Sequence, residues 1–218
     1  MDESAGRNKI VLVGDKAIME IKYNAGLMAQ SFWFIEFKKV VQLYYDGADY
    51  DEIKRQCIEE NLLGAVNPTR ELRMAGYLLT RLRSMDDELV EQFMKSDVST
   101  QKIINLITLM RTNRLFFEYV YEVYRNKLLT GEETIGISDG NIFFAQKESQ
   151  NDDLASWKES TKKTLRSLYL NFLTEAGMVK LVEGEKERRV SRVFVNPQLE
   201  NYLKTTNISM YKAIMGVC

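Results

Sequence analysis

The 218-residue chain contains no histidine. That removes imidazole general bases, serine–histidine and cysteine–histidine relays, and most zinc sites. Cysteine is nearly as scarce, and Cys57 and Cys218 form no metal-ligand pattern. Two such isolated thiols fit a reducing cytosol, with Cys57 read as a small core residue rather than a nucleophile. No run approaches the roughly 18–20 uninterrupted apolar residues of a membrane helix. The densest patch, SFWFIEFKKVVQLYY, is broken by Glu36, Lys38 and Lys39. The opening MDESAGRNK has no apolar region behind a basic one, so no secretion signal is expected there and the expected location is cytoplasmic.

Charge of one sign is also missing. Thirty basic residues against 31 acidic ones leave a net charge of −1, so any attraction to a polyanion must come from uneven distribution. Phosphate loops of the GxxxxGK[ST] type and a GxGxxG after a strand are absent, and Gly184-Glu185-Lys186 sits at a hairpin tip. The acid pairs Glu59-Glu60, Asp86-Asp87 and Asp152-Asp153 fall at expected helix ends, where carboxylates serve capping and solubility. Carboxylates suffice for hard cations, so residue type leaves a magnesium nuclease open, but nothing at nuclease-like spacing supports one. The chain is therefore expected to be non-enzymatic, with no cofactor, no metal and no small-molecule substrate.

Apolar residues at 45% and charged residues at 28% describe an ordinary globular chain, long enough for one large domain or two small ones. Most of it reads as helix. Residues 9–13 suggest a short strand, and 17–23 either a second strand or a helix start. Ser31 is the expected cap of a helix over 32–45. Asp49 opens another with Ile53, Cys57 and Ile58 inward, ending near Gly64. Asn67-Pro68 is a strong start signal, Asn as N-cap and Pro at the first helical position. The helix it opens, about 69–83, places Leu72, Ala75, Gly76, Leu79 and Leu82 inward and Arg70, Arg73, Arg81 and Arg83 among its polar positions. Ser84 and then Ser99 or Thr100 are the expected caps of the next two helices. Residues 115–129 form an aromatic-rich helix, read as core or interface. Its neighbours Arg111, Arg114 and Arg125 keep a base-stacking reading open. A shorter helix starts at Ser138-Asp139-Gly140, and 149–153 is a connector.

The stretch 157–197 organises the rest. Ser156 or Ser160 is the expected cap of a helix whose inward face is Leu165, Leu168, Tyr169, Phe172, Leu173 and Ala176. Lys158, Lys162, Lys163 and Arg166 crowd its start, where the macrodipole disfavours cations, which suggests an external anion such as phosphate. Gly177 is the expected left-handed C-cap. MVKLV at 178–182 and VSRVFV at 190–195 alternate as strands around a tip carrying Lys186, Arg188 and Arg189, with Arg192 on the returning strand. Helix, strand, charged tip and returning strand are how a winged-helix module ends, although a helix on a hairpin with a solvated tip satisfies the same pattern. After Pro197 come a short helix and an apolar segment, 208–217, expected to dock on the body. The expected organisation is an N-terminal extension (1–22), a helical bundle (23–130) and a winged-helix-like module (131–218).

YNAG at 23–26, FWFIEFKKVVQLYYDG, NPTRELRMAGYLLTRLRSM and W-x-x-S-T-x-K at 157–163 succeed one another in an order that resembles the BrxA family of bacteriophage exclusion (BREX) defence systems. The resemblance covers most of 23–180. It implies a small, mostly helical, non-enzymatic protein of a phage-resistance cassette, associated with double-stranded DNA, whose helical part resembles the NusB antitermination fold. Some members of that family are described as inner-membrane proteins, which the hydropathy here argues against. The family supplies no catalytic residues. The expected DNA contacts come from charge and position: Arg70, Arg73, Arg81 and Arg83 as one patch, and Lys158, Lys162, Lys163, Arg166, Lys186, Arg188, Arg189 and Arg192 as another. The rival expectation is a protein–protein adaptor that joins other proteins of the cassette through the 116–124 aromatic face and the apolar C-terminus.

Overall fold

The computed structural model describes residues 15–218, so the strand expected at 9–13 lies outside them. The first described element is a helix, α1 (Asp15–Glu20), followed by a 3₁₀ turn (Gly26–Ala29) and α2 (Phe34–Tyr45). Then come α3 (Tyr50–Glu60), α4 (Pro68–Arg83), α5 (Asp87–Lys95) and α6 (Val98–Thr112). A continuous helical rod follows, built of α7 (Arg114–Tyr119), a π-helical turn (Val120–Tyr124) and α8 (Arg125–Thr130). The second half holds β1 (Thr134–Ile135), α9 (Ile137–Glu148), α10 (Asp152–Ala155), α11 (Glu159–Glu175), β2 (Val179–Leu181), β3 (Arg188–Val190), α12 (Pro197–Thr206) and α13 (Ile208–Met215).

Short amide and carboxylate side chains start these helices. Asp49, Asn67, Asp86, Asp97, Asn113, Asn151, Asn196 and Asn207 each accept an amide of the first turn, at 2.8–3.0 Å. The serines expected to cap do not. Ser84 closes α4 instead, its hydroxyl donating to the Arg81 carbonyl at 2.6 Å, while Asp86 caps α5. Ser99 donates to Asp97, which is itself the cap of α6. Ser156 donates to the Asp153 carbonyl at the end of α10, a short helix in the stretch expected as a connector. Neither Ser156 nor Ser160 caps α11, whose N-cap position is Lys158. Ser31 lies three residues before α2. The residue entering that helix is Trp33, held in the left-handed region at φ 46°. Gly177 (φ 78°) ends α11 in the left-handed conformation that glycine adopts without penalty.

The burial of α4 departs from the expected stripe. Met74, Ala75, Leu78, Leu79 and Leu82 face inward together with Glu71 and Arg81, whereas Leu72 and Gly76 face out. On α3, Ile53 and Cys57 are buried, but Ile58 is exposed. Glu71 turns inward because both its oxygens accept backbone amides of the preceding loop, Leu63 at 2.8 Å and Ala65 at 3.0 Å.

One buried core joins both halves. Phe116 packs on Tyr169 and Phe172 of α11, at ring-centroid distances of 4.9 and 5.5 Å, and Tyr119 packs on Tyr169 at 5.2 Å. The aromatic face of 116–124 is thus interior. Gly140 lets α9 approach α11 closely, since a Cβ there would lie 3.1 Å from the Arg166 side chain. α13 packs along the π-helical turn, burying Met210, Ala213 and Ile214. The ribbon is shorter than expected and gains a strand. β3 ends at Val190, residues 191–196 are not in regular structure, and the antiparallel sheet has the order β1-β3-β2. Thr134 pairs with Arg189 and Val179 with Val190.

Candidate nucleic-acid interface

Of the four arginines of α4, two are open to solvent. Arg70 and Arg73 are exposed on its first two turns, and neither is ion-paired within the described residues. Arg81 is only 1% exposed. Its guanidinium donates to the carbonyls of Phe32 (2.9 Å) and Ser31 (2.8 Å) and to Gln30 Oε1 (2.9 Å), and lies over the Trp33 ring at 5.6 Å. Burial lowers its pKa, the nearby Glu36 partly opposing that. A guanidinium whose donors meet internal carbonyls is a structural anchor. Arg83, two residues on, stacks over Tyr50 at 4.7 Å. Thirteen residues separate it from Arg70, about 20 Å of helix at 1.5 Å per residue. The four therefore do not form one patch.

The cations at the start of α11 divide in the same way. Lys158 and Lys163 are exposed. Lys162 and Arg166 are buried, at 6% and 8% exposure. Lys162 Nζ lies 3.0 Å from Glu148 of α9 and 3.3 Å from Glu159, and Arg166 meets Glu159 at 2.5 Å. Arg166 and Lys162 hold the Glu159 carboxyl below its ordinary pKa. Lys162 and Arg166 thus need no external anion: Glu159 sits in the first turn, where the macrodipole favours it, and pairs with both, while Glu148 supplies the second carboxylate.

On the ribbon, Lys186 is exposed at the tip. Arg188 is bound back to α11, donating to Thr174 (2.9 Å) and Asn171 (2.8 Å). Arg189 pairs with Glu185 at 2.9 Å, and Arg192 makes a long 3.4 Å contact with the Leu128 carbonyl. The ribbon follows the far end of α11. That helix has 17 residues, so roughly 25 Å separates its two ends, and the ribbon cations lie toward its C-terminal end, where Arg188 meets Asn171 and Thr174.

The structure does bring together three cations from two elements, α4 and the start of α11. Lys158 borders a cleft with Tyr23, Asn24 and Ala25, while Arg70 and Arg73 border another with Met28, Ala29 and Gln30. The 23–30 segment is common to both. Only Gly26 and Leu27 of the 3₁₀ turn lie between the residues that border the two clefts. That turn also packs on α11, so Arg70 and Arg73 on one side and Lys158 on the other flank a single strip of backbone. The cations stand out in the sequence but the strip does not, because 23–30 carries no charged side chain.

Among the described residues, no helix is long and apolar enough to cross a membrane. Two of the acid pairs contribute a cap or a partner: Asp86 caps α5 and accepts the Tyr202 phenol at 2.5 Å, and Glu59 pairs with Arg55.

A crystal structure of an uncharacterized protein from Magnetospirillum magneticum shares the fold, with a TM-score of 0.72 over 90% of this chain and 100% of that one, at 16% identity. The BREX protein BrxA of Bacillus cereus (strain H3081.97) is 31% identical over 198 residues, spanning 91% of this chain and 98% of its own length. The BrxA family profile matches residues 21–207. Over that span, which takes in α2 through α12, the chain belongs to the BrxA family.

Proposed function

We propose that this protein is a non-enzymatic, cytoplasmic accessory component of a BREX phage-resistance system that holds double-stranded DNA mainly by its backbone phosphates. One observation carries the reading: Arg70, Arg73 and Lys158 are exposed, free of acidic partners among the described residues, and arranged on both sides of one segment. Lys163, five residues further along α11, is another exposed cation without an acidic partner among the described residues. Cations left unpaired in a chain of near-zero net charge are suited to phosphate. Lys186, Arg189 and Arg192, toward the other end of α11, form a second contact. In this reading α11 with the β2–β3 ribbon serves as a winged-helix-like module on a NusB-like bundle. Arg81, Lys162 and Arg166 hold the scaffold together, as does the buried Arg111, which donates to the Ser84 carbonyl (2.8 Å) and the Tyr202 phenol (3.0 Å).

A second reading, an adaptor that docks other proteins of the cassette, is favoured by a different observation. Phe194 is 86% exposed and Leu181 66% exposed, beside the ribbon. The surfaces first expected for that role, the 116–124 aromatics and the C-terminal helix, are largely buried. Fluorescence anisotropy with a mixed-sequence duplex at low and moderate salt separates the two readings. Phosphate binding predicts affinity that falls steeply with salt. Absence of binding at low salt rejects the DNA reading and leaves the adaptor, tested next by pull-down with the other proteins of the cassette.

A further inference from the structure

The cleft between the 28–33 segment and the first half of α4 has a volume of about 650 Å³. That is the size of a small-ligand site, and more than contact with a duplex backbone requires. Its lining combines Arg70 and Arg73 with the rings of Trp33 and Tyr77, beside Gln30 and Met28, and includes no acidic side chain. The two rings stack on each other, with centroids 6.2 Å apart and planes at 27°. Arg81 underlies Trp33 at 5.6 Å and, with Asn105, fixes the Phe32 carbonyl next to it (2.9 and 2.8 Å). The aromatic pair is therefore held in place from below, next to two unpaired guanidinium groups. A flat apolar wall beside positive charge suits a ligand that is itself a flat ring carrying a phosphate.

We propose that this cleft binds one nucleoside phosphate unit, its base on the Tyr77–Trp33 pair and its phosphate between Arg70 and Arg73. The proposal deepens the DNA-binding reading, on which it rests for the role of the two arginines. It specifies an unpaired nucleotide rather than the backbone of an intact duplex. The unit can come from a free nucleotide or from a single strand, and the test distinguishes the two.

Trp33 and Trp157 are the two tryptophans of the chain, so the Trp157→Phe variant reports on Trp33 alone. Its fluorescence is titrated with adenosine monophosphate, with a six-nucleotide deoxyadenosine strand and with the same strand made abasic. The proposal predicts saturable quenching by the base-bearing strand and loss of that quenching with the abasic one. Tyr77→Ala weakens binding about ten-fold, as expected for loss of one base-stacking partner. Arg73→Gln, a surface change on the same wall, weakens it comparably. Saturation by the monophosphate at similar concentration identifies a free nucleotide as sufficient, whereas response to the strand alone identifies a single-strand site. No saturable quenching by either, or equal binding of the abasic strand, overturns the proposal. Duplex binding that survives such a result leaves the broader DNA reading standing, and nucleotide binding without duplex binding does the reverse.

Discussion

Arg81 on α4 donates to the carbonyl of Phe32 at 2.9 Å, 49 residues earlier in the chain. Eight residues before Arg81, Arg73 lies open to solvent on the same helix. The two differ in role for a geometric reason, and mutation separates them. Arg81→Ala strips the Ser31 carbonyl and Gln30 of a donor, leaves the Phe32 carbonyl with Asn105 alone, and opens a cavity beneath Trp33. It is expected to lower stability by about 2–4 kcal/mol. Arg73→Ala is expected to leave the urea midpoint in place while weakening DNA binding. Equilibrium unfolding and anisotropy on the two variants check both halves.

Lys162 and Lys163 are neighbours with opposite expectations. Lys162 joins α11 to α9 through Glu148. Its replacement by Ala is expected to lower Tm by a few degrees, about 2–5 °C, since its partners remain partly hydrated. Lys163→Ala is expected to spare Tm and reduce duplex affinity. A thermal melt and a titration of each variant decide the matter. A variant that removed both lysines together with Arg166 would confound them.

The order of the longer helices and most of their boundaries are legible in the sequence, because apolar periodicity and Asx–Pro or glycine signals are local, whereas the short α1 and α10 are not. Asn67-Pro68, Asp49 and Gly177 act as their residue types predict. Serine caps were misjudged wherever an Asp stood close by, as at Ser84 beside Asp86 and Ser99 beside Asp97, since the carboxylate caps at least as well. The facing of Arg81 was not legible. An arginine in a helical pattern reads as surface, and only the 30–32 carbonyls, brought in by tertiary folding, make its burial favourable. β1 was missed because two residues, Thr134 and Ile135, carry no alternation to detect. The same limit applies to the cation groups. Charge runs along the chain group residues that folding keeps apart, as about 20 Å of α4 does for Arg70 and Arg83.

Glu118 supplies a pH-dependent term. Burial raises its carboxyl pKa, but contacts from Lys147, Tyr23 and Arg114, each at 2.7 Å, outweigh that and hold it below the ordinary value. A carboxyl depressed on folding stabilises the native state above its unfolded pKa, about 4.3. That contribution disappears as pH falls through the lower folded value. Urea midpoints of the wild type are therefore expected to fall on acidification below about pH 4.3. Glu118→Gln should be less stable at neutral pH and show a shallower decline.

The two thiols differ in access. Cys57 is fully buried on α3, where burial and then the nearby Glu71 raise its pKa to about 11, while Cys218 is exposed. Native protein is expected to react with one equivalent of a thiol reagent and denatured protein with two. Two fast equivalents without denaturant would mean that α3 does not pack on α4 as described.

The most direct test of the DNA-binding account is the salt dependence of duplex affinity for a variant carrying Arg70→Ala, Arg73→Ala, Lys158→Ala and Lys163→Ala. Each phosphate contact contributes about 0.9 to the slope of log affinity against log salt. The account predicts weaker binding to every duplex and a slope shallower by about 3–4, with an unchanged thermal melt. A variant that folds normally and binds with the affinity and slope of the wild type would contradict it.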